Sequence, residues 1–207
     1  MQSSLFDVEQ TGERILLKDA QLDYHPNFYT QIAADQLFDQ LVQGIAWRQD
    51  AITIAGIQRL QPRLSAWYGD ANAEYTYSGL RLTPIIWNRE LLTIKQAIEA
   101  HSGYRFNSVL LNYYRDQHDS MGWHSDDEPE LGRQPVIASL SLGGIREFIL
   151  KHKFDKQLRY KIPLTHGSLL IMSGNTQSHW QHAIAKEKHP CAARINLTFR
   201  QIIPKSP

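Results

Sequence analysis

The chain has 207 residues, 42% of them hydrophobic and 21% charged, with a formal net charge of +1. That length suffices for one domain with a real core, and the balance excludes a disordered or membrane-embedded chain. No apolar run approaches the roughly 20 residues that cross a bilayer, the start MQSSLFDVEQTGE lacks the basic and apolar parts of a signal peptide, and the lone cysteine, Cys191, cannot form an internal disulfide. The expectation is a cytoplasmic protein, nuclear if its source is a eukaryote, with no membrane partner and a monomeric state. A charge this close to neutral means that any nucleic-acid footprint must be local.

In chain order, QIAADQLFDQLVQGI (31–45) places Ala34, Phe38, Leu41, Val42 and Ile45 at helical spacing. RELLTIKQAIEA (89–100) does the same with Leu91, Ile94, Ala97 and Ile98, and Gly103 is a stop signal. The stretch between them, PRLSAWYGDANAEYTYSGLRLTP, reads as loop and short strands. From 107 onward come seven β-rich runs: NSVLLNYY, PVIASLSLG, IREFILKHK, LRYKIPL, GSLLIMS, HWQHAI and ARINLTFRQI. Gly143-Gly144, between the second and third, is a hairpin signal. Strands preceded only by helices predict a sandwich, jelly roll or barrel.

The candidate chemistry begins in GWHSDDEPE (122–130). On an extended chain residues i and i+2 point the same way, so His124 and Asp126 could offer a nitrogen and an oxygen to one metal ion. With nine histidines in the chain, chance supplies about 0.5 such pairs, so the motif needs company; a polar loop is the plainer alternative. HWQHAI holds His179 and His182, whose odd offset puts them on opposite faces of a strand, so only one would join. Two histidines and a carboxylate form the facial triad of non-haem Fe(II) oxygenases, with positions left open for substrate and O2; a tetrahedral zinc site is the competing use. His101, His118 and His152 read as surface residues.

In RINLTFR (194–200), Ile195, Leu197 and Phe199 share one face and Arg194, Asn196, Thr198 and Arg200 the other. That is either an edge strand with a wet face or the wall of a polar cavity. Two inward guanidinium groups, which keep their charge when buried, imply an anionic ligand such as a small dicarboxylate. In LLNYYRD, Asn112 and Tyr114 share a face. The run REFILKHKFDKQLRYK (146–161) sets Arg146, Lys151, Lys153, Lys156, Arg159 and Lys161 against Glu147 and Asp155, either a solvated hairpin or a set of phosphate contacts.

The ordered set of H-x-D at 124–126, His182 and R-x-N-L-T-F-R at 194–200 resembles the AlkB family of Fe(II)- and 2-oxoglutarate-dependent dioxygenases, which remove alkyl groups from nucleic-acid bases. NYY at 112–114, YTYSG at 75–79, HSDDE at 124–128 and HGSLLIMSG at 166–174 add to it. The resemblance runs from about Pro62 to Ile202 and is greatest to the double-strand DNA repair branch. It implies one domain, mainly β: a double-stranded β-helix (jelly roll) over 107–203, with helices packed outside and a nucleotide-recognition lid within 1–106. It implies Fe(II) held by His124, Asp126 and His182, the family pattern choosing His182 over His179. It implies 2-oxoglutarate bound by Arg194 at its distal carboxylate, by Arg200 near its keto-acid end, and by Asn112, Tyr114 and Asn196.

The same resemblance implies a base pocket walled by Tyr75, Tyr77 and Ser78, with Asp127 and Glu128 orienting an arginine and the base's exocyclic amine. Phosphate contacts are expected from Arg146, Lys151 and Lys153, while Glu187 and His189 thin the basic run after His182. The region 47–58 matches the site of a base-displacing finger; Ile52, Ile54 and Ile57 within it read mainly as core strand. The implied reaction demethylates bases such as 1-methyladenine and 3-methylcytosine in single- or double-stranded DNA, using O2 and releasing formaldehyde, succinate and CO2. Alternatives are the same chemistry on RNA or a protein side chain, a silent nucleic-acid-binding module, or a zinc hydrolase, which gives no reason for the paired arginines.

Overall fold

The computed structural model describes residues 12–54, 56–73, 75–77 and 80–203, with 52–54, 75–77 and 80–82 as backbone only. In chain order the elements are β1 (Glu13–Leu17), β2 (Ala20–His25), α1 (Gln31–Gly44), β3 (Ala51–Ile54), β4 (Ile57–Leu60), β5 (Leu64–Gly69), β6 (Tyr75–Tyr77), β7 (Leu80–Leu82), β8 (Ile85–Ile86) and α2 (Arg89–Ser102). The second half contains β9 (Ser108–Tyr114), β10 (Met121–His124), β11 (Ile137–Gly143), β12 (Arg146–His152), β13 (Arg159–Leu164), β14 (Ser168–Ser173), α3 (Thr176–His179), β15 (Trp180–Ile184) and β16 (Arg194–Arg200).

Both expected helices form. Thr30 caps α1 by accepting from the Ala33 amide, Asn88 caps α2 by accepting from Leu91, and Gly103 ends α2 with φ 75°. A left-handed residue at that position favours glycine, which has no Cβ to clash.

An eight-stranded sheet in the order β1-β2-β14-β11-β16-β9-β5-β8 faces a four-stranded sheet, β10-β15-β12-β13. Helices α1 and α2 pack on the outside of the larger sheet. There Leu37, Leu41, Leu91, Ile94 and Ile98 meet Val109, Leu111, Leu140, Ile195, Leu197 and Phe199 in one continuous core. A second core lies between the sheets, with Leu22, Leu170 and Met172 against Phe148, Leu150, Ile162, Leu164 and Ile184. The central strands β14, β11, β16 and β9 thus send one parity of side chains to the helices and the other toward the smaller sheet. This is the expected jelly roll.

Two expectations need correcting. The first half is not only helices before strands: β1 and β2 extend the large sheet on one side, and β5 and β8 on the other. The signal was present, because Ala20, Leu22 and Tyr24 alternate with polar residues and are buried. Gly143-Gly144 does not close a hairpin either. β11 pairs with β14 and β16, whereas β12 pairs with β13 and β15, so the chain crosses between sheets at this point. Gly143 has φ 86°, and a Cβ on either glycine would strike the carbonyl of Ala193 or Ala192.

The segment 47–58 overlaps a separate two-stranded ribbon made of β3 and β4, which ends at Leu60. Every residue of β4 is exposed, Ile57 at 56% and Leu60 at 63%, so Ile57 is not a core strand residue. The side chains of Ile52 and Ile54 lie outside the described residues.

Candidate active site

His124 ends β10 and His182 sits in β15, and the two are paired directly across the small sheet. Their Nε2 atoms lie 3.1 Å apart. His124 Nδ1 is 2.9 Å from the Gly122 carbonyl oxygen. A carbonyl only accepts, so Nδ1 carries the proton and Nε2 is left with its lone pair. Asp126 lies in a bend just past β10, 3% exposed, with its amide donating to Gln177 Oε1 at 3.0 Å. One carboxylate oxygen, Oδ1, accepts from Arg200 Nη2 at 2.6 Å, and Oδ2 lies 3.9 Å from His182 Nε2.

His179 is elsewhere. It closes the helical turn α3, with Nδ1 beside Ser178 Oγ and the Asn175 carbonyl. His152 is buried, not on the surface, and its Nδ1 accepts the amides of Phe154 and Asp155.

The donor set fits a metal ion. Two nitrogens each about 2.1 Å from one metal and at right angles stand about 3 Å apart, which matches the histidine pair. Among the described residues no three such side chains are yet drawn up closely enough to coordinate together. The carboxylate is the one standing off, held toward Arg200. Burial pushes the Asp126 carboxyl up, but Arg200, His182 and His124 overcome this and bring it down to about 2. Burial, with the neighbouring His124, lowers His182 to about 3. Both groups are therefore in their ligating protonation states at neutral pH.

His182 has an ordinary value of 6.5 and is lowered when folded; burial lowers His25 and His101 as well. Above that value both folded and unfolded chains are neutral at these positions. Below it the unfolded chain takes up protons that the folded chain refuses, so stability is lost as pH falls toward the folded values. The unfolding midpoint of metal-free protein is expected to drop between about pH 7 and about pH 5, followed by circular dichroism. A flat profile would mean that these histidines are not held neutral.

The cavity between the sheets runs from this trio to Arg194 and is lined by Asn112, Tyr114, Ser139, Met172, Asn196, Thr198 and Arg200 among others. The inward parity of β9 and β16 supplies Leu110, Asn112, Tyr114, Arg194, Asn196, Thr198 and Arg200, as their sequences predict. Arg194 is 1% exposed, donates from Nη2 to Ser141 Oγ at 2.9 Å and lies over the Tyr114 ring at 5.2 Å. Its Nε and Nη1 are buried with no hydrogen-bond partner. Burial lowers its pKa to about 10, so it stays charged at neutral pH. A buried cation with two unused donors facing a polar cavity is a seat for a carboxylate.

Asn196 is tied to Ser139 and the Leu140 carbonyl, and Asn112 accepts from Arg63 Nε at 2.7 Å. Sequence reasoning missed Arg63, Ser141 and Gln177. Ser139 and Ser141 were legible as a polar parity in IASLSLG; Arg63 and Gln177 had no local signal.

Of the acidic neighbours, Asp127 is exposed and pairs with Lys153 Nζ at 2.8 Å, and Glu128 precedes a turn of 3-10 helix at Pro129–Leu131. Lys153 also donates to the Gln177 carbonyl at 2.8 Å, so it serves this loop and is not free for phosphate. Arg146 is 1% exposed and cannot reach a phosphate either. Only Lys151 of the three is outward, its Nζ 4.3 Å from the Trp123 ring centre. The Tyr75 and Tyr77 side chains and Ser78 lie outside the described residues.

The 2OG-Fe(II) oxygenase superfamily model matches residues 21–200. The chain belongs to that superfamily. Within it the similarity is to AlkB-type proteins. Human alpha-ketoglutarate-dependent dioxygenase alkB homolog 3 is 46% identical over 87% of this chain and 65% of its own length. Mouse DNA oxidative demethylase ALKBH2 is 40% identical over 83% of this chain and 76% of its own length, which places the chain in the AlkB family. The chain therefore spans just under two thirds of alkB homolog 3. The solved structure of OsALKBH1 shares the fold, with a TM-score of 0.62 at 19% identity, covering 91% of this chain and 100% of that one. Fe(II) and 2-oxoglutarate are the cofactor and co-substrate of the family, and the donor set and Arg194 fit them. No helix among the described residues is long and apolar enough to cross a membrane.

Proposed function

We propose that this chain oxidatively demethylates N-alkylated bases, of the 1-methyladenine and 3-methylcytosine type, in DNA. The observation that carries the reading is one cavity with the two histidines and a buried carboxylate at one end and an arginine with unused donors at the other. His124, Asp126 and His182 would hold Fe(II), which with 2-oxoglutarate and O2 supplies the oxidation of the N-methyl carbon, giving formaldehyde, succinate and CO2. Arg194 would take the distal carboxylate of 2-oxoglutarate. Arg200 keeps the Asp126 carboxylate charged, and Asn112, Tyr114 and Asn196 shape the space between.

The base itself must leave its stack to enter. Tyr75, Tyr77 and Ser78 are the proposed wall on which it rests. Methylation at these positions makes the base cationic, and Asp127, beside the metal ligands, would receive it through the carboxylate oxygen that Lys153 does not take, with Glu128 next to it. Lys151 and Trp123 offer a charge and an exposed ring outside the cavity for the backbone of the strand.

The test incubates full-length protein with Fe(II), ascorbate, 2-oxoglutarate and O2, and oligonucleotides bearing either lesion as single-strand and duplex DNA and as RNA. Mass spectrometry follows the methyl group. Loss that requires 2-oxoglutarate is expected for DNA. Loss from RNA alone would move the substrate, and succinate without demethylation would overturn the base-repair reading. In binding titrations of the same oligonucleotides at several salt concentrations, Lys151→Glu is expected to reduce the salt slope by about one phosphate contact. An unchanged slope would remove Lys151 from the interface.

A further inference from the structure

Arg146 begins β12, and its side chain is as buried as that of Arg194, at 1% exposure. It does not line the cavity. Its guanidinium lies over the Tyr114 ring at 5.7 Å, and that of Arg194 lies over the same ring at 5.2 Å. One aromatic side chain of the cavity wall is therefore in contact range of two buried cations. Arg146 Nη2 donates to the Asp119 carbonyl at 3.0 Å and to the Ala185 carbonyl, and Nε donates to Glu187 at 3.2 Å. These partners lie on the loops that follow β9, which carries Tyr114, and β15, which carries His182. Nη1 has no partner.

The charge around it is not balanced. Asp119 is already held by Arg115 through three bonds, and Glu187 is 40% exposed in its side chain. Two like charges held close in a low-dielectric interior repel one another and attract any anion brought between or beside them. Burying a guanidinium is expensive, and an apolar side chain of similar length would fill the volume without that cost.

We infer that Arg146 is a positioning residue for a dicarboxylate co-substrate: it fixes Tyr114 and Arg194 from behind the cavity wall and adds its charge to the field that holds the distal carboxylate. The inference rests on the proposed use of 2-oxoglutarate. It gives the cavity a selectivity for the second carboxylate that Arg194 alone would supply less well. The loop bonds of Arg146 keep that end of the cavity in register with the histidine end.

The test measures binding by calorimetry on full-length protein loaded with Mn(II) in place of Fe(II), metal content being checked first. Two ligands are compared: 2-oxoglutarate, and 2-oxopentanoate, which keeps the oxo acid and chain length but lacks the distal carboxylate. Arg146→Met is expected to weaken 2-oxoglutarate about 10-fold, the scale of one charge-assisted contact, and to leave 2-oxopentanoate and metal content unchanged. Arg146→Lys, which keeps the charge but not the fork, should fall between the two and carries the test if the methionine variant does not fold. Equal weakening of both ligands, or of neither, would overturn the inference. A wild-type protein that does not prefer 2-oxoglutarate to 2-oxopentanoate would instead count against the proposed function.

Discussion

Replacing Asp126 with asparagine is expected to abolish the proposed 2-oxoglutarate turnover while leaving the chain folded. The asparagine keeps the side-chain volume and can still accept from Arg200 through its carbonyl oxygen, so the unfolding midpoint moves little. It loses the negative charge that draws a divalent cation to the two histidines, so iron bound per chain falls toward zero. Alanine does more harm. It leaves Arg200, whose side chain is 16% exposed, without its 2.6 Å partner. Breaking a buried pair from one side costs about 3–5 kcal/mol, and the remaining exposure of Arg200 sets the expected loss at the low end. Iron content by emission spectrometry and the unfolding midpoint, taken on both variants, separate the two effects. An asparagine variant that holds a full equivalent of iron and turns over normally would take Asp126 out of the metal site.

The parts of this site that the sequence disclosed are those that depend on a single strand. On β16 and β9 the polar and apolar parities are fixed by backbone geometry, so Arg194, Asn196, Arg200, Asn112 and Tyr114 fall on the cavity side as their spacing requires. The same rule, applied to β12, would have separated Arg146 from Lys151. Arg146 shares parity with buried Phe148 and Leu150, whereas Lys151 shares it with exposed Glu147. Counting the run as one basic patch hid that distinction.

What the sequence hid depends on pairing between distant segments. β10 is four residues long with a glycine inside it, and two register pairs with β15 hold it in place. Nothing local marks it as a strand, yet it sets His124 opposite His182. A glycine pair serves a hairpin and a crossing between sheets equally well, so Gly143-Gly144 could not reveal which. Strand parity left open which of His179 and His182 would join, and it did not apply to His179, which lies in a helical turn. The family pattern chose His182, which the structure sets opposite His124, where local geometry could not choose.

Arg194→Met is expected to have effects of opposite sign on stability and on co-substrate affinity. In the metal-free chain the Arg194 guanidinium is buried, has two donors without partners and is paired with no acid. Methionine fills a similar space at no desolvation cost, and such replacements are commonly neutral or stabilising by about 1–4 kcal/mol. A domain of this size gains about 2–4 °C in midpoint for each kcal/mol, so the metal-free variant should melt higher than wild type. Binding moves the other way. Removing the partner of a buried carboxylate costs about 2–5 kcal/mol, so the KM for 2-oxoglutarate should rise about 100-fold. The thermal shift that 2-oxoglutarate gives the metal-loaded protein should vanish in the variant. A lower midpoint with an unchanged KM would make Arg194 a structural clamp on Ser141, and the anion seat would then have to lie elsewhere in the cavity. The combination of a more stable protein and a weaker ligand is the signature of a charge kept at the expense of the fold for the molecule it receives.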